Sequence, residues 1–193
     1  MPPKPNASID ATGLETSFAS RYFVRRSTSK DYHCRRFPKL TFLVEHTTHL
    51  ILGIHINRGP CHDSPQFAPT VRMGARNVAL DTLLADSGYD GEANHVLARQ
   101  RLGMRSTVIA LNRRNTGRRW PKTKYRRQMK KRFFRRLYRQ RNHAESFISQ
   151  HKRRLLPTLR AKKPLTQRHE IRRRVLTHNL MILRRLQVFN RAA

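Results

Sequence analysis

Twenty-one of the 42 lysine and arginine residues lie between Arg113 and Lys163, and Glu145 is the only carboxylate among them. It sits in the run Tyr138-Arg-Gln-Arg141-Asn-His-Ala-Glu145-Ser-Phe-Ile-Ser-Gln-His-Lys152. On an α-helix, at about 100° per residue, Tyr138, Arg141, Glu145 and Lys152 fall within roughly 60° of one another, on one face. A carboxylate there has two uses. It can pair with Arg141 one turn away, a surface contact of a few tenths of a kcal/mol. Or it can hold a metal ion beside the phosphates that the surrounding cations attract, which is chemistry on nucleic acid.

Metal-assisted cleavage or transfer at a phosphodiester can use two divalent ions about 3.5–4 Å apart, held by a few converging carboxylates. Mg²⁺ favours such hard oxygen ligands. Asp10, in Ile9-Asp10-Ala11-Thr12-Gly13, and Asp86, after Leu83-Leu84-Ala85, both stand on or at the end of apolar strand-like runs. Each also reads as an ordinary strand-end or turn aspartate, with Asp90 as the cap of a following helix. Asp63, in a loop, and Asp81, in mid-strand, read as structural. The pairs His33-Cys34 and Cys61-His62 contain zinc-ligand types, but adjacent residues make poor chelates. Trp120 has two readings: a platform for an extruded base, or an anchor in the core or its own loop.

The elements that must position these residues follow from hydrophobic period. Ala7–Thr12 reads as a short strand. Leu40–Val44 and His49–Ile56 read as a hairpin turning at Glu45–Thr48, with Leu50, Leu52, Ile54 and Ile56 on one face and the other partly covered. A helix is predicted after Pro65, a strand over Ala79–Ala85, a helix over Glu92–Leu102 stopped by Gly103, and a strand over Thr107–Leu111. Residues 112–123 read as a basic loop or small insertion. Tyr125–Leu155 reads as one long helix. A last helix, capped by Thr166, carries an apolar stripe of Ile171, Val175, Ile182 and Leu186. This alternation predicts an α/β fold, a sheet covered by helices. Ligands at strand ends and one on a covering helix can then meet at one sheet edge.

A formal charge of +31 and a pI near 11.8 make a polyanion, DNA or RNA, the default partner. A membrane surface fits less well, because the basic residues are not confined to one amphipathic helix. The sequence shows no apolar signal region and no run of about 20 apolar residues, and its two cysteines point away from a disulfide framework.

In these motifs the chain resembles the catalytic core of an insertion-sequence DDE transposase of the Y-R-E-K signature group. Ile-Asp10-Ala-Thr-Gly-Leu resembles the first Asp motif, and Leu-Ala-Asp86-Ser-Gly-Tyr-Asp-Gly the second. Tyr138, Arg141, Glu145 and Lys152 match every signature position of the third. The resemblance runs through nearly the whole chain. It implies an RNase H-like mixed sheet flanked by helices, with long basic helices at the C-terminal end, as a single domain over 1–193. It implies Asp10, Asp86 and Glu145 as catalytic ligands of two Mg²⁺ (or Mn²⁺) ions, converging within metal-bridging distance. Arg141 and Lys152 are expected on DNA phosphates, and Tyr138 on the DNA backbone. The implied partner is double-stranded DNA, transposon ends and target, met by a homodimer in the prokaryotic cytoplasm at the nucleoid. Family members carry substantial sequence before the first Asp, so a truncated or split reading frame lacking end recognition is expected. Two rivals remain: a basic DNA- or RNA-binding protein without chemistry, and a metal-dependent nuclease that cuts without joining.

Overall fold

A computed structural model describes residues 3–16, 37–112 and 120–192. Five strands form one mixed sheet in the order β4-β3-β1-β5-β6: β1 Ala7–Gly13, β3 Phe37–Glu45, β4 Ile51–Gly59, β5 Thr82–Ala85 and β6 Ser106–Ile109. β1 pairs parallel with β5, and β5 parallel with β6. Every residue of β5 is buried, which is why Thr-Leu-Leu-Ala reads as a continuous apolar run rather than an alternation. The expected RNase H-like α/β arrangement is present, a five-stranded mixed sheet with flanking helices. The two short strands β2 Glu15–Thr16 and β7 Thr158–Leu159 form a second, parallel pair that the sequence does not announce. No described helix is long and apolar enough to cross a membrane.

The chain packs as two compact units. The first comprises residues 1–10, 41–55 and 62–147. Its core joins Ala7 and Ile9 of β1, Leu43, Phe67, Val71, Leu83, Ala85, Tyr89 and Ile109. The β3–β4 turn is locked by Glu45, whose carboxylate accepts the backbone N–H of Thr47 (2.6 Å) and Thr48 (2.7 Å). Of β4, Ile51 and Gly53 are buried while Leu52, Ile54 and Ile56 are half-buried, the reverse of the expected leucine-rich face. The cause is the helix α1, Ser64–Ala75, which runs so close to Gly53 that a Cβ there would stand 2.4 Å from the Thr70 carbonyl oxygen.

α2, Glu92–Val96, winds on as a π-turn to Arg101, and Gly103, at φ +69°, ends it as expected. Its N-cap is Gly91, not Asp90. Strand β5 begins at Thr82, so Asp81 precedes the strand, where its carboxylate meets the Arg105 guanidinium at 2.6 Å. The predicted long helix is broken. α3, Lys124–Lys131, ends at Arg132 in an extended conformation, and α4, Arg135–Tyr138, follows. A single 3₁₀ turn, Arg139–Arg141, leads into α5, Asn142–Leu155. Phe133 causes the break by packing with Tyr138 and Leu137 onto Leu84, Val108 and Met129. Trp120 is 57% exposed, so it does not anchor the core. Residues 113–119 of the basic loop lie outside the described residues, as does the His33-Cys34 half of the zinc pattern.

The second unit comprises residues 11–40, 56–61 and 148–193. Arg174 ties it together, donating to the carbonyls of Leu156 and Thr158 (both 2.6 Å) and to Glu170 (2.7 Å). Glu170 in turn accepts the backbone N–H groups of Arg160 and Ala161. Its last helix, α6, begins at Pro164, so Thr166 lies inside the first turn and its hydroxyl donates to the Lys163 carbonyl. Ile171, Val175 and Ile182 are buried as expected, but Leu186 is exposed.

Candidate active site

The parallel register of β1 and β5 puts Ile9 opposite Ala85. The next residue along each chain is a carboxylate, Asp10 inside β1 and Asp86 just past β5, so neighbouring strands about 4.8 Å apart set two acids level with each other. Asp86 leaves its strand extended and accepts the Ser87 N–H at 2.5 Å, which starts the turn Ser87–Tyr89. The turn reading of Asp86 is therefore true locally. It also fixes one carboxylate oxygen.

Glu145 is presented by α5. Ala144 and Phe147, both buried, hold that face of the helix, with the Phe147 ring 4.4 Å from Phe42 on β3. His143 packs its ring against His46 (4.8 Å) and His49 (4.9 Å) at the hairpin turn. Glu145, turned away from these contacts, has a side chain 56% exposed.

Arg141 links the two ends of the sequence. One of its terminal nitrogens donates to Asp10 Oδ2 at 3.1 Å and the other to Glu145 Oε1 at 2.7 Å. Both Arg141 and Asp10 are largely buried there. Burial alone loosens the Arg141 proton, but the charges of Asp10, Tyr138, Asp86 and Glu145 outweigh it and hold the guanidinium above its ordinary pKa. Tyr138 is half-buried against Phe133, and burial pushes its phenol up against the opposing charge of Arg141, with Asp86 and Asp10 adding to the rise. The helix break does not scatter the signature residues, because the backbone stays right-handed helical at Tyr138, Arg139 and Asn142. Lys152, on α5 and partly buried, belongs to the second unit.

In donor type and charge Asp10, Asp86 and Glu145 fit a hard divalent cation, since all are carboxylates and two of them already hold a cation, Arg141. The guanidinium sets the spacing of Asp10 and Glu145. Among the described residues no three histidine, cysteine or acidic side chains stand close enough to hold one ion, so the expected convergence within metal-bridging distance is not met. One neighbour escaped the sequence reading. Asp63, taken there as a loop residue, lies against Gly88, two residues past Asp86. With burial as the main cause, the charges of Asp63, Asp10 and Asp86 raise the phenol of the buried Tyr89. The contact comes from the start of α1 packing on the turn Ser87–Tyr89.

A family model described as Transposase DDE domain matches residues 2–180. A search of curated proteins finds no match to the chain.

Proposed function

Because the chain belongs to the transposase DDE domain family, and so to the enzymes of DNA transposition and recombination, we propose that it cuts and joins phosphodiesters at insertion-sequence ends. Asp10, Asp86 and Glu145 are the ligands of two Mg²⁺ (or Mn²⁺) ions in this reading. One observation carries it: the β1–β5 register sets Asp10 beside Asp86, and Arg141 ties Asp10 to Glu145, 135 residues further along the chain.

Bound divalent ions supply a lowered pKa for a coordinated water and neutralise charge on the transferring phosphoryl group. The chain's own residues do the rest. Asp10, inside the central strand β1, and Asp86, just past the end of β5, give fixed oxygens. Glu145, exposed on a helix, gives an adjustable one. Arg141 and Lys152 bind backbone phosphates, with the planar fork of Arg141 suited to two oxygens at once. Tyr138 orients the strand beside the cut, and Trp120 is exposed enough to stack on a base. The active form is a homodimer on paired ends, working at the nucleoid in the prokaryotic cytoplasm.

The test uses duplex DNA carrying the element's own terminal repeats, incubated with Mg²⁺ or Mn²⁺. The wild-type chain nicks it and yields joined products, and Asp10→Asn, Asp86→Asn and Glu145→Gln each cut at least about 10²-fold more slowly while still binding DNA. Undiminished cutting by Glu145→Gln sinks the assignment and leaves a nucleic-acid-binding protein. Cut ends without joined products make it a nuclease.

A further inference from the structure

Arg141 does more in this structure than wait for a phosphate. Its two terminal nitrogens each hold one oxygen of a different carboxylate, Asp10 at 3.1 Å and Glu145 at 2.7 Å. Those acids come from a central strand and a helix, and no other described residue bonds to both. A guanidinium neutralises two carboxylates as a metal ion does, and its planar fork sets their separation. The Tyr138 ring, 6.0 Å from the guanidinium carbon, backs it from the side. Asp10 and Arg141 are shielded from water on this side, with side chains 18% and 19% exposed, whereas Glu145 is open.

We propose that Arg141 is a built-in cation that occupies the ligand position between Asp10 and Glu145 until DNA draws it away. The proposal rests on these acids being the metal ligands. A divalent ion entering between them must break at least one of the two arginine bonds and overcome the repulsion of a fixed positive charge. A DNA phosphate offers the same fork an alternative bidentate partner. Metal and DNA then favour each other's binding, since each gains from the same displacement, and the coupling is reciprocal. The free protein holds its ions weakly and cuts only where a phosphate is already in place. Arg141 is a positioning residue here, acting through Asp10 and Glu145.

The test measures Mn²⁺ binding, not turnover, by following free Mn²⁺ by electron paramagnetic resonance during titration of the full chain. Arg141→Gln, checked for folding by its thermal melt, is expected to bind Mn²⁺ about tenfold more tightly than wild type without DNA. A merely structural arginine gives the opposite, because its loss disorders the ligands, so unchanged or weaker binding overturns the proposal. A second arm needs no variant. A short duplex, corrected for the Mn²⁺ it binds alone, tightens Mn²⁺ binding to the wild-type chain several-fold. It does little for Arg141→Gln. No gain in the wild type, or an equal gain in both, also overturns the proposal. Glu145→Gln and Asp10→Asn serve as the reference: if neither weakens Mn²⁺ binding, the ligand assignment itself has failed. If they do weaken it while Arg141→Gln tightens nothing, only the displacement model has failed.

Discussion

Two arginines of the first unit hold aspartates in opposite ways. Arg126 grips one carboxylate with both arms, donating to Asp90 Oδ1 and Oδ2 at 2.8 Å each. The Asp90 side chain is 1% exposed, and its Oδ2 also accepts the Asn112 N–H. Next to it, Glu92 accepts the first backbone N–H groups of α3, from Tyr125 and Arg126, and so caps a helix about 30 residues away. Every charge there has a fixed partner. Arg141 instead divides its fork between Asp10 and Glu145, one bond to each, with Glu145 open to solvent. The closed arrangement is mortar between α2, α3 and the strand end after β6. The split one gives each acid a single bond. A buried ion pair is thus read by how its bonds are shared out, not by its presence.

The largest expected effect separates the two. Asp90→Ala leaves Arg126 without its carboxylate and exposes the Asn112 N–H to no acceptor, which is expected to cost about 3–5 kcal/mol in denaturant unfolding. Asp10→Asn keeps a hydrogen-bonding side chain in place and leaves Arg141 its bond to Glu145, so it is expected to cost less, about 1–2 kcal/mol. Equal losses at the two sites erase the distinction.

A smaller effect follows from His95, whose buried ring bonds Thr107 at 2.7 Å behind the closed cluster. Burial holds its pKa down at about 4. Its folded pKa lies below the ordinary 6.5, so its contribution is complete above pH 6.5 and is lost as pH falls towards 4, where the unfolded chain takes up the proton first. Thermal melts of wild type across that window fall in midpoint, and His95→Gln flattens part of the fall, worth on the order of 2 kcal/mol. His46 and His151, also held at about 4 by burial, supply the remainder. An unchanged slope in His95→Gln sinks this account.

The smallest effect is expected at Asp81, which meets the fully solvated Arg105. Asp81→Ala is expected to cost well under about 1 kcal/mol, since the Arg105 half of the pair is open to water and hydrates well alone. A larger drop there means that exposure is the wrong criterion for ranking these pairs.

Element types and order were legible in the sequence, because buried parallel strands such as Thr82–Ala85 and periodic helices such as α1 carry their burial in local pattern. What local pattern misses is set by distant partners. The run Lys124–Leu155 has helix-favouring residues throughout, and only the packing of Phe133 onto Leu84 and Val108 explains its break. Asp90 has the look of a helix cap, but its partner lies 36 residues on. The candidate site divides in the same way. The residue types of Asp10, Asp86 and Glu145 stood out from motif and charge contrast, and the short-range pair Arg141–Glu145 follows from helical spacing. The bond of Arg141 to Asp10 spans 131 residues and follows from no spacing. Nor did spacing reveal the neighbourhood of Asp63, which depends on the start of α1 meeting the turn Ser87–Tyr89.

Strand β1 lies at the centre of the sheet, between β3 and β5. Glu145 is translated 135 residues after Asp10. At roughly 5–20 residues per second, the ribosome needs about 7–27 s to cover that interval. Through all of it the nascent chain has Asp10 without the Glu145 that Arg141 ties to it. On the proposed reading of these acids the chain is therefore inert throughout that interval, and a copy terminated within it stays so.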